Sequence, residues 1–215
     1  MKGTKLHSRY VMGQFHPIST DAAADVICDF KKNVPEYCRI MRVQRDIPTY
    51  KTEAGVDRTN LRQYVDEKCR QNKIQCRCIR CRESGRFEKV GKASIKVDKY
   101  EASKGQEYFI SAVDDKDILV GFCRMRFPSQ VLVQEITEKS VLIRELHVYG
   151  EAVPIGTVGK GQQHKGYGRK LLEKAEKIAK KEGKDKIVVI SGVGVREYYR
   201  SLGYRKEGPY MVKRI

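Results

Sequence analysis

Two glycines set two positions apart, in Gln163-His164-Lys165-Gly166-Tyr167-Gly168-Arg169, stand at the head of a stretch in which Leu171, Leu172, Ala175, Ile178 and Ala179 fall on one side of a helix. No other feature of the chain constrains its fold as tightly. Glycine allows a turn that a Cβ would disfavour and lets another group approach the backbone closely. A helix that opens there leaves its first four N–H groups without internal partners, and its dipole adds positive potential. A pyrophosphate can therefore seat on it without a dedicated side chain. The same turn also serves helices that bind nothing, so its surroundings have to decide.

Four segments of strand character come before the turn, at 93–97, 107–113, 118–125 and 141–149, with breaks at Asp114-Asp115 and near Pro128. The helix predicted over 168–182 is followed by a buried strand at 187–191, a short helix at 196–202 and a last strand at 210–213. A meander followed by helix, strand, helix and strand describes an α+β domain from about 85 to 215, with a boundary near Gly85. The spacing is not that of a P-loop with its Lys-Ser/Thr, and the preceding strand closes a meander rather than a first βαβ unit. Both a nucleoside triphosphatase and a dinucleotide-binding fold are therefore disfavoured.

In the first half, Gly13-Gln14-Phe15-His16-Pro17 forms a turn, and Ser19 or Thr20 caps a helix on which Ala23, Val26, Ile27 and Phe30 share a face, ending before Pro35. The alternation over 37–43 predicts a strand. Asn60 with Gln63 resembles a capping box for a second helix, whose apolar face carries Leu61, Tyr64, Val65 and Cys69. The chain shows no internal repeat or low-complexity tract.

Charge and cysteine usage narrow the function classes. Forty-four Lys and Arg against 27 Asp and Glu leave +17 on 215 residues, which is more than solubility requires and points to a polyanionic partner. The excess gathers at Arg39, Arg42, Arg45, Lys68, Arg77, Arg80 and Arg82. The longest apolar runs, such as Ile187-Val188-Val189-Ile190, are far short of the roughly 20 residues of a spanning helix, so a membrane role is not expected. The first residues lack the apolar core of a secretory signal, which predicts a cytoplasmic protein whose 7 cysteines are thiols or metal ligands. Cys76-x-Cys78-x-x-Cys81 has a density that suits tetrahedral zinc, with the fourth ligand open among Cys69, His7, His16 and Cys38.

The order strand, Gln-x-x-Gly-x-Gly, helix, strand and then Tyr198-Tyr199-Arg200-Ser201-Leu202-Gly203-Tyr204 resembles the acetyl-CoA motif and aromatic helix of the GNAT acetyltransferase superfamily. Longer phrases carry a closer resemblance. Met41-Arg42-Val43-Gln44-Arg45-Asp46-Ile47-Pro48, Cys81-Arg82-Glu83-Ser84-Gly85, Arg144-Glu145-Leu146-His147-Val148-Tyr149-Gly150, Ile190-Ser191-Gly192-Val193-Gly194 and Gly208-Pro209-Tyr210-Met211-Val212-Lys213 are similar to the C-terminal part of the Elongator catalytic subunit family. That family couples a radical-SAM barrel to a GNAT-like domain and modifies C5 of the wobble uridine of tRNA.

The resemblance implies three parts. Residues 1–50 would be a remnant of the barrel's C-terminal end, 51–92 a basic and candidate zinc-binding linker, and 93–215 a GNAT-like domain with a mixed, splayed central sheet and flanking helices. Acetyl-CoA would lie between the strands at 141–149 and 187–191. Gln163, His164, Lys165, Gly166, Tyr167, Gly168 and Arg169 would hold its pyrophosphate, and the N–H groups near Leu146 and Val148 would face the thioester oxygen. Tyr199 takes the position of the acid that protonates the departing thiolate, with Tyr198 as a wall of the pantetheine channel. Glu145 and His147, two apart on one strand, are expected to share a face with Ile143 and Tyr149 and to orient water or the acetyl carbonyl.

The partner implied is the tRNA anticodon stem-loop, gripped by the basic set. About six neutralised phosphates would give a log–log salt slope near −5. Zinc at Cys76, Cys78 and Cys81 would be structural, as in some members of the family. The 4Fe–4S cluster and S-adenosylmethionine belong to the family's barrel, but its Cys-x₃ type cysteine triad is not found in this sequence. The chain is thus expected to be a fragment, a split gene or a degenerate copy, with a separate radical-SAM barrel chain as a further partner. Two alternatives stay open: a protein lysine acetyltransferase, which shares the cofactor and differs in its acceptor, and a non-catalytic tRNA-binding module. Oligomeric state is not fixed by the sequence.

Overall fold

A computed structural model describes residues 1–43, 48–150 and 166–215, which form two units, Met1–Cys81 and Arg82–Ile215. In the first, α1 (Lys5–Val11) is opened by Thr4, whose side chain accepts the His7 N–H, and it buries none of its residues. Helix α2 (Thr20–Lys32) is capped by Ser19, which accepts the Ala22 N–H at 3.2 Å. Its inner face is only half the predicted one: Ala23 is buried and Ile27 packs against the core, but Val26 and Phe30 do not. Ala23, Ala24, Cys28 and Lys31 are buried, whereas Val26 and Phe30 are each 62% exposed. The small residues let α2 approach α3 (Leu61–Gln71), where Leu61, Val65 and Cys69 are buried, so closely that the Cys28 and Cys69 sulfurs lie 3.1 Å apart. Lys31 can follow them inward because its ammonium meets the Asp66 carboxylate at 2.5 Å, and a buried charge is tolerated only when paired.

Two further readings of this unit need correction. Asn60 and Gln63 do pair, but side chain to side chain at 3.2 Å rather than as a cap on the backbone of α3. No strand forms at 37–43 among the described residues. The Cys38 carbonyl accepts the N–H of Ile79, in the single turn α4 (Ile79–Arg82), and the Ile40 carbonyl accepts the Arg62 guanidinium, both at 2.9 Å. Acceptors that a neighbouring strand would have used are already taken.

The second unit follows the predicted order. Strands β1 (Ser94–Ala102), β2 (Gly105–Val113), β3 (Leu119–Phe127) and β4 (Ser140–Val148) form an antiparallel meander. Helix α5 (Tyr167–Lys181) leads to β5 (Lys186–Val189), which lies parallel to β4. Then come α6 (Arg196–Ser201), a strand β6 (Arg205–Glu207) that the sequence reading missed, and β7 (Tyr210–Arg214). The seven strands make one mixed sheet in the order β1-β2-β3-β4-β5-β7-β6. Asp114 fixes the β2–β3 turn, its carboxylate accepting the N–H groups of Gly91, Lys116 and Ile118 at 2.9, 2.9 and 2.8 Å.

The core lies between α5 and one face of the sheet. Leu171, Leu172, Ala175 and Ala179 of α5 pack on Tyr108, Ile110, Ala112, Cys123, Met125, Val141 and Ile143. Leu171 and Leu172 are almost wholly withdrawn from water, a contribution of about 1.5–3 kcal/mol each from area alone.

One irregularity decides what the sheet presents. Arg124 pairs with Glu145 but Met125 pairs with Ile143, so Arg144 is an extra residue in β4. Such a bulge shifts the alternation by one. Before it, Val141 and Ile143 face α5; after it, Leu146 and Val148 do, and Glu145 and His147 turn to the opposite face. Glu145 and His147 therefore do not share a face with Ile143, as strict alternation predicts. The bulged Arg144 is held by the Glu107 carboxylate at 2.7 Å, which also takes Arg126 at 2.7 Å and is itself only 1% exposed.

Candidate active site

Strands β4 and β5 part company halfway along β4. Their last register pair is Ile143 with Val189, and the Ile190 N–H still reaches the Ile143 carbonyl at 3.1 Å, but β4 continues to Val148. The Tyr149 N–H points back to β3, donating to Val120 at 2.8 Å. Because successive N–H groups of a strand point to opposite edges, those of Leu146 and Val148 are directed toward the side that β5 has left. The bulge at Arg144 sets this phase. The two strands are thus splayed beyond Ile143, as a mixed, splayed sheet requires.

The first turn of α5 adjoins this region. Gly166 is its N-cap with φ +73°, a left-handed conformation that L side chains adopt at a cost. Gly168 is needed for a different reason: a Cβ there would lie 2.6 Å from the Tyr198 hydroxyl and 3.7 Å from Cγ2 of Val148. One contact thus joins α5, α6 and β4. Gly166 has no side chain with which to cap the helix, and no acidic residue lies in the first turn, so the electrostatics there stay positive. Arg169 is exposed and pairs with Glu173 one turn on at 3.2 Å. Tyr167 is buried in the core with its hydroxyl accepting the Ala93 N–H at 3.1 Å, which leaves only its main chain for a ligand. Gln163, His164 and Lys165 lie outside the described residues.

Three tyrosines cluster behind the turn. Tyr199 is buried, and its ring lies 5.4 Å from that of Tyr198 and 5.7 Å from that of Tyr204, both edge-on. Burial pushes the Tyr199 phenol well above its ordinary value and Tyr198 upward too, the latter against the pull of Arg169. Both stay protonated at neutral pH. The Tyr204 hydroxyl is committed to Glu176 at 2.9 Å, whereas those of Tyr198 and Tyr199 have no hydrogen-bond partner among the described residues.

On the opposite face of the sheet, Glu145 meets Arg124 at 2.9 Å, and the Arg124 guanidinium lies 5.4 and 5.3 Å over the rings of Phe109 and Phe122. His147 is exposed and stacks on Phe122, with centroids 6.0 Å apart and 24° between planes; Tyr149 is 4.5 Å from His147. Sequence reasoning missed Arg124 and Phe122. Only the β3–β4 register brings them beside Glu145 and His147, and no local signal carries that register.

Cys76, Cys78 and Cys81 converge, their sulfurs all within 4.8 Å of one another. Contacts from the Cys76 and Cys81 sulfurs, helped by main-chain hydrogen bonds from Ile40 and Cys81 and opposed by burial, hold the Cys78 thiol far below its usual range, while the Cys76 and Cys78 sulfurs and burial push Cys81 up. Among the candidates for a fourth ligand, Cys69 is engaged with Cys28, its thiol pushed up to about 12 mainly by burial, and His7 with Glu53 at 2.6 Å. Cys38 packs beside the cluster and His16 is exposed, and no fourth sulfur, imidazole or carboxylate joins the group among the described residues.

The basic set does not present itself as one patch. Arg82 is 5% exposed and paired with Asp117 at 2.9 Å, so it does not offer itself to phosphate. Lys68 meets Asp25 at 2.7 Å and Asp21 at 3.5 Å, and Arg77 meets Glu36 at 2.5 Å. Arg42 is exposed, Arg39 and Arg80 are half-buried, and Arg45 lies outside the described residues.

A mixed sheet splayed beside a glycine-opened helix is the frame of an acyl-CoA-dependent acetyltransferase. Residues 79–204 match the acetyltransferase (GNAT) family and residues 1–71 match the radical SAM C-terminal domain. The chain belongs to the GNAT family. Over 99% of its length it is 43% identical to the tRNA uridine(34) acetyltransferase of Methanocaldococcus jannaschii, covering 41% of that protein. Over 100% of its length it is 42% identical to Elongator complex protein 3 of Saccharomyces cerevisiae, covering 41% of that protein. It also superposes on an N-terminally deleted Elongator protein of Methanocaldococcus infernus with a TM-score of 0.86 and 41% identity, over 100% of this chain and 53% of the other. The chain spans about two fifths of the length of the curated relatives it matches.

Proposed function

We propose that this chain binds acetyl-CoA between β4 and β5, cleaves the thioester, and serves the modification of C5 of a tRNA wobble uridine. The observation that carries the reading is the splay beyond Ile143, where the Leu146 and Val148 N–H directions, Gly168 and Tyr198 meet. The α5 first turn, from Gly166 to Arg169, takes the pyrophosphate, with Gln163, His164 and Lys165 assigned to the same task. The Leu146 and Val148 N–H groups stabilise the charge that develops on the thioester oxygen. Glu145 takes a proton from the attacking water as its oxygen bonds to the carbonyl carbon. The C–S bond breaks, and the sulfur's electron pair takes the Tyr199 proton. A desolvated phenol suits this role because it remains protonated until a strongly basic thiolate forms.

Zinc fits the cysteine cluster, since three converging thiols are a donor set that prefers it. Cys76, Cys78 and Cys81 would hold it, and its role would be to staple the segment that bears Arg77 and Arg80. The tRNA contacts fall to Arg39, Arg42, Arg45, Lys68, Arg77 and Arg80, without Arg82. The names of the relatives and the net charge of +17 support tRNA over a histone-like peptide as the acceptor. The test is release of free CoA from acetyl-CoA by the purified chain. Stimulation by tRNA is expected; formation of acetyl-lysine on a histone peptide, or failure to bind CoA, would overturn the reading.

A further inference from the structure

The face of the sheet opposite α5 carries a built aromatic surface of which thioester cleavage uses only Glu145. Phe109 and Phe122 form its floor, 0% and 2% exposed. Over them lies a second layer, the Arg124 guanidinium at 5.4 and 5.3 Å and the His147 imidazole stacked on Phe122 at 24°. Tyr149 abuts the imidazole at 4.5 Å. In the outer layer the His147 ring is exposed, while the Arg124 side chain is 19% exposed and held in place by Glu145. A flat, exposed ring backed by an apolar floor and flanked by a guanidinium is the surface on which proteins stack unpaired bases of RNA.

Position makes the surface relevant to the acceptor. His147 lies between Leu146 and Val148 in β4, so its ring stands on the sheet face while their N–H groups point to the open strand edge. The thioester carbonyl and a base on the ring would thus be about one strand spacing apart, roughly 5 Å. The placement depends on the Arg144 bulge, without which His147 would face α5 instead.

We propose that His147, on its Phe122 floor and beside Tyr149 and Arg124, is the stacking platform for the unpaired wobble base. This rests on the tRNA reading above and gives the acceptor a subsite. His147 is then a binding residue for the acceptor base rather than a group that orients water or the acetyl carbonyl.

The test uses the full chain and three RNA hairpins of identical stem and loop, carrying uridine, 2-aminopurine or an abasic nucleotide at the wobble position. The chain has 0 Trp, so 2-aminopurine can be excited without protein background. Wild type is expected to bind the uridine hairpin about five- to 150-fold more tightly than the abasic one, the range of a single base stack, and to change the 2-aminopurine emission. His147→Ala should remove most of that ratio while leaving abasic binding unchanged. His147→Phe, which keeps a ring and loses the imidazole nitrogens, should retain the ratio. Equal binding of uridine and abasic hairpins by wild type, or a His147→Phe variant as defective as His147→Ala, overturns the platform and leaves the tRNA reading standing. Failure to bind any hairpin removes both.

Discussion

Gly166 and Gly168 open the same helix, yet the structure assigns them different duties, and replacing each by alanine separates the two. At Gly166 a Cβ meets nothing within 4 Å, and the obstacle is the backbone, at φ +73°. The left-handed conformation costs an L residue about 1–2 kcal/mol, which for a chain of this size lowers Tm by roughly 2–8 °C. At Gly168 the backbone is helical, so alanine gains up to about 1 kcal/mol of helix propensity. Its Cβ, however, would stand 2.6 Å from the Tyr198 hydroxyl, about 1 Å inside an ordinary contact of roughly 3.5 Å. The tyrosine must move, and it stands beside the place assigned to the acetyl-CoA carrier. Gly166→Ala should therefore lose stability. Gly168→Ala should melt within about 1 kcal/mol of wild type, because propensity offsets displacement, and bind acetyl-CoA about tenfold more weakly, an effect of about 1.4 kcal/mol. Differential scanning calorimetry reads the first quantity and titration calorimetry with acetyl-CoA the second. A Gly168→Ala protein that binds the carrier as wild type does would refute the placement of the carrier beside Tyr198, and a Gly166→Ala protein as stable as wild type would refute the backbone argument.

Three other outcomes are expected. Tyr199→Phe should lower kcat for acetyl-CoA hydrolysis by about 10²-fold or more while Tyr198→Phe acts mainly on KM, measured by release of free CoA; the reverse pattern moves the acid to Tyr198. Asp114 is held below its usual 3.8 because, although burial opposes it, three main-chain N–H groups favour its charged form, so its stabilising effect is complete above that value and is lost as pH falls through the lower folded value. Asp114→Asn should cost about 1–3 kcal/mol at neutral pH and flatten the acid limb of a denaturation series, and an unchanged limb would show that the carboxylate is not the group that titrates. Purified chain should carry close to one zinc by atomic emission, and Cys78→Ser should lower both zinc content and Tm; a metal-free chain that melts as the loaded one does removes the structural role.

Much of the second unit was legible because its elements announce themselves locally. Alternation marked the four strands of the meander, and the period of Leu171, Leu172, Ala175 and Ala179 marked the face of α5 that is buried. In the first unit the same rule placed only half of the face of α2. Period alone favoured the larger side chains, Val26 and Phe30, but close packing of α2 on α3 selected the small ones, and the ion pair with Asp66 drew in Lys31. Strand β6 was missed because three residues, Arg205 to Glu207, carry no alternation to read. Arg82 was counted as a phosphate contact because it stands in a basic run, and a run says nothing about which member finds a carboxylate. Asp117, 35 residues away, does so here.

The bulge at Arg144 shows why the site itself was harder to read than the fold. Spacing correctly put Glu145 and His147 on one side of a strand, but which side depends on one inserted residue, whose side chain is anchored two strands away. Glu107 is buried, and a buried carboxylate must be paired, so it draws Arg126 from β3 and Arg144 from β4 to the same oxygen. Anchoring Arg144 there coincides with the shift that turns Leu146 and Val148 toward α5 and His147 away from it. If that pairing holds the bulge, Glu107→Gln should reach beyond its own strand. It should cost about 3–5 kcal/mol as a broken buried ion pair, and it should also loosen the phase of β4, so that acetyl-CoA turnover and hairpin discrimination weaken together in protein that remains folded.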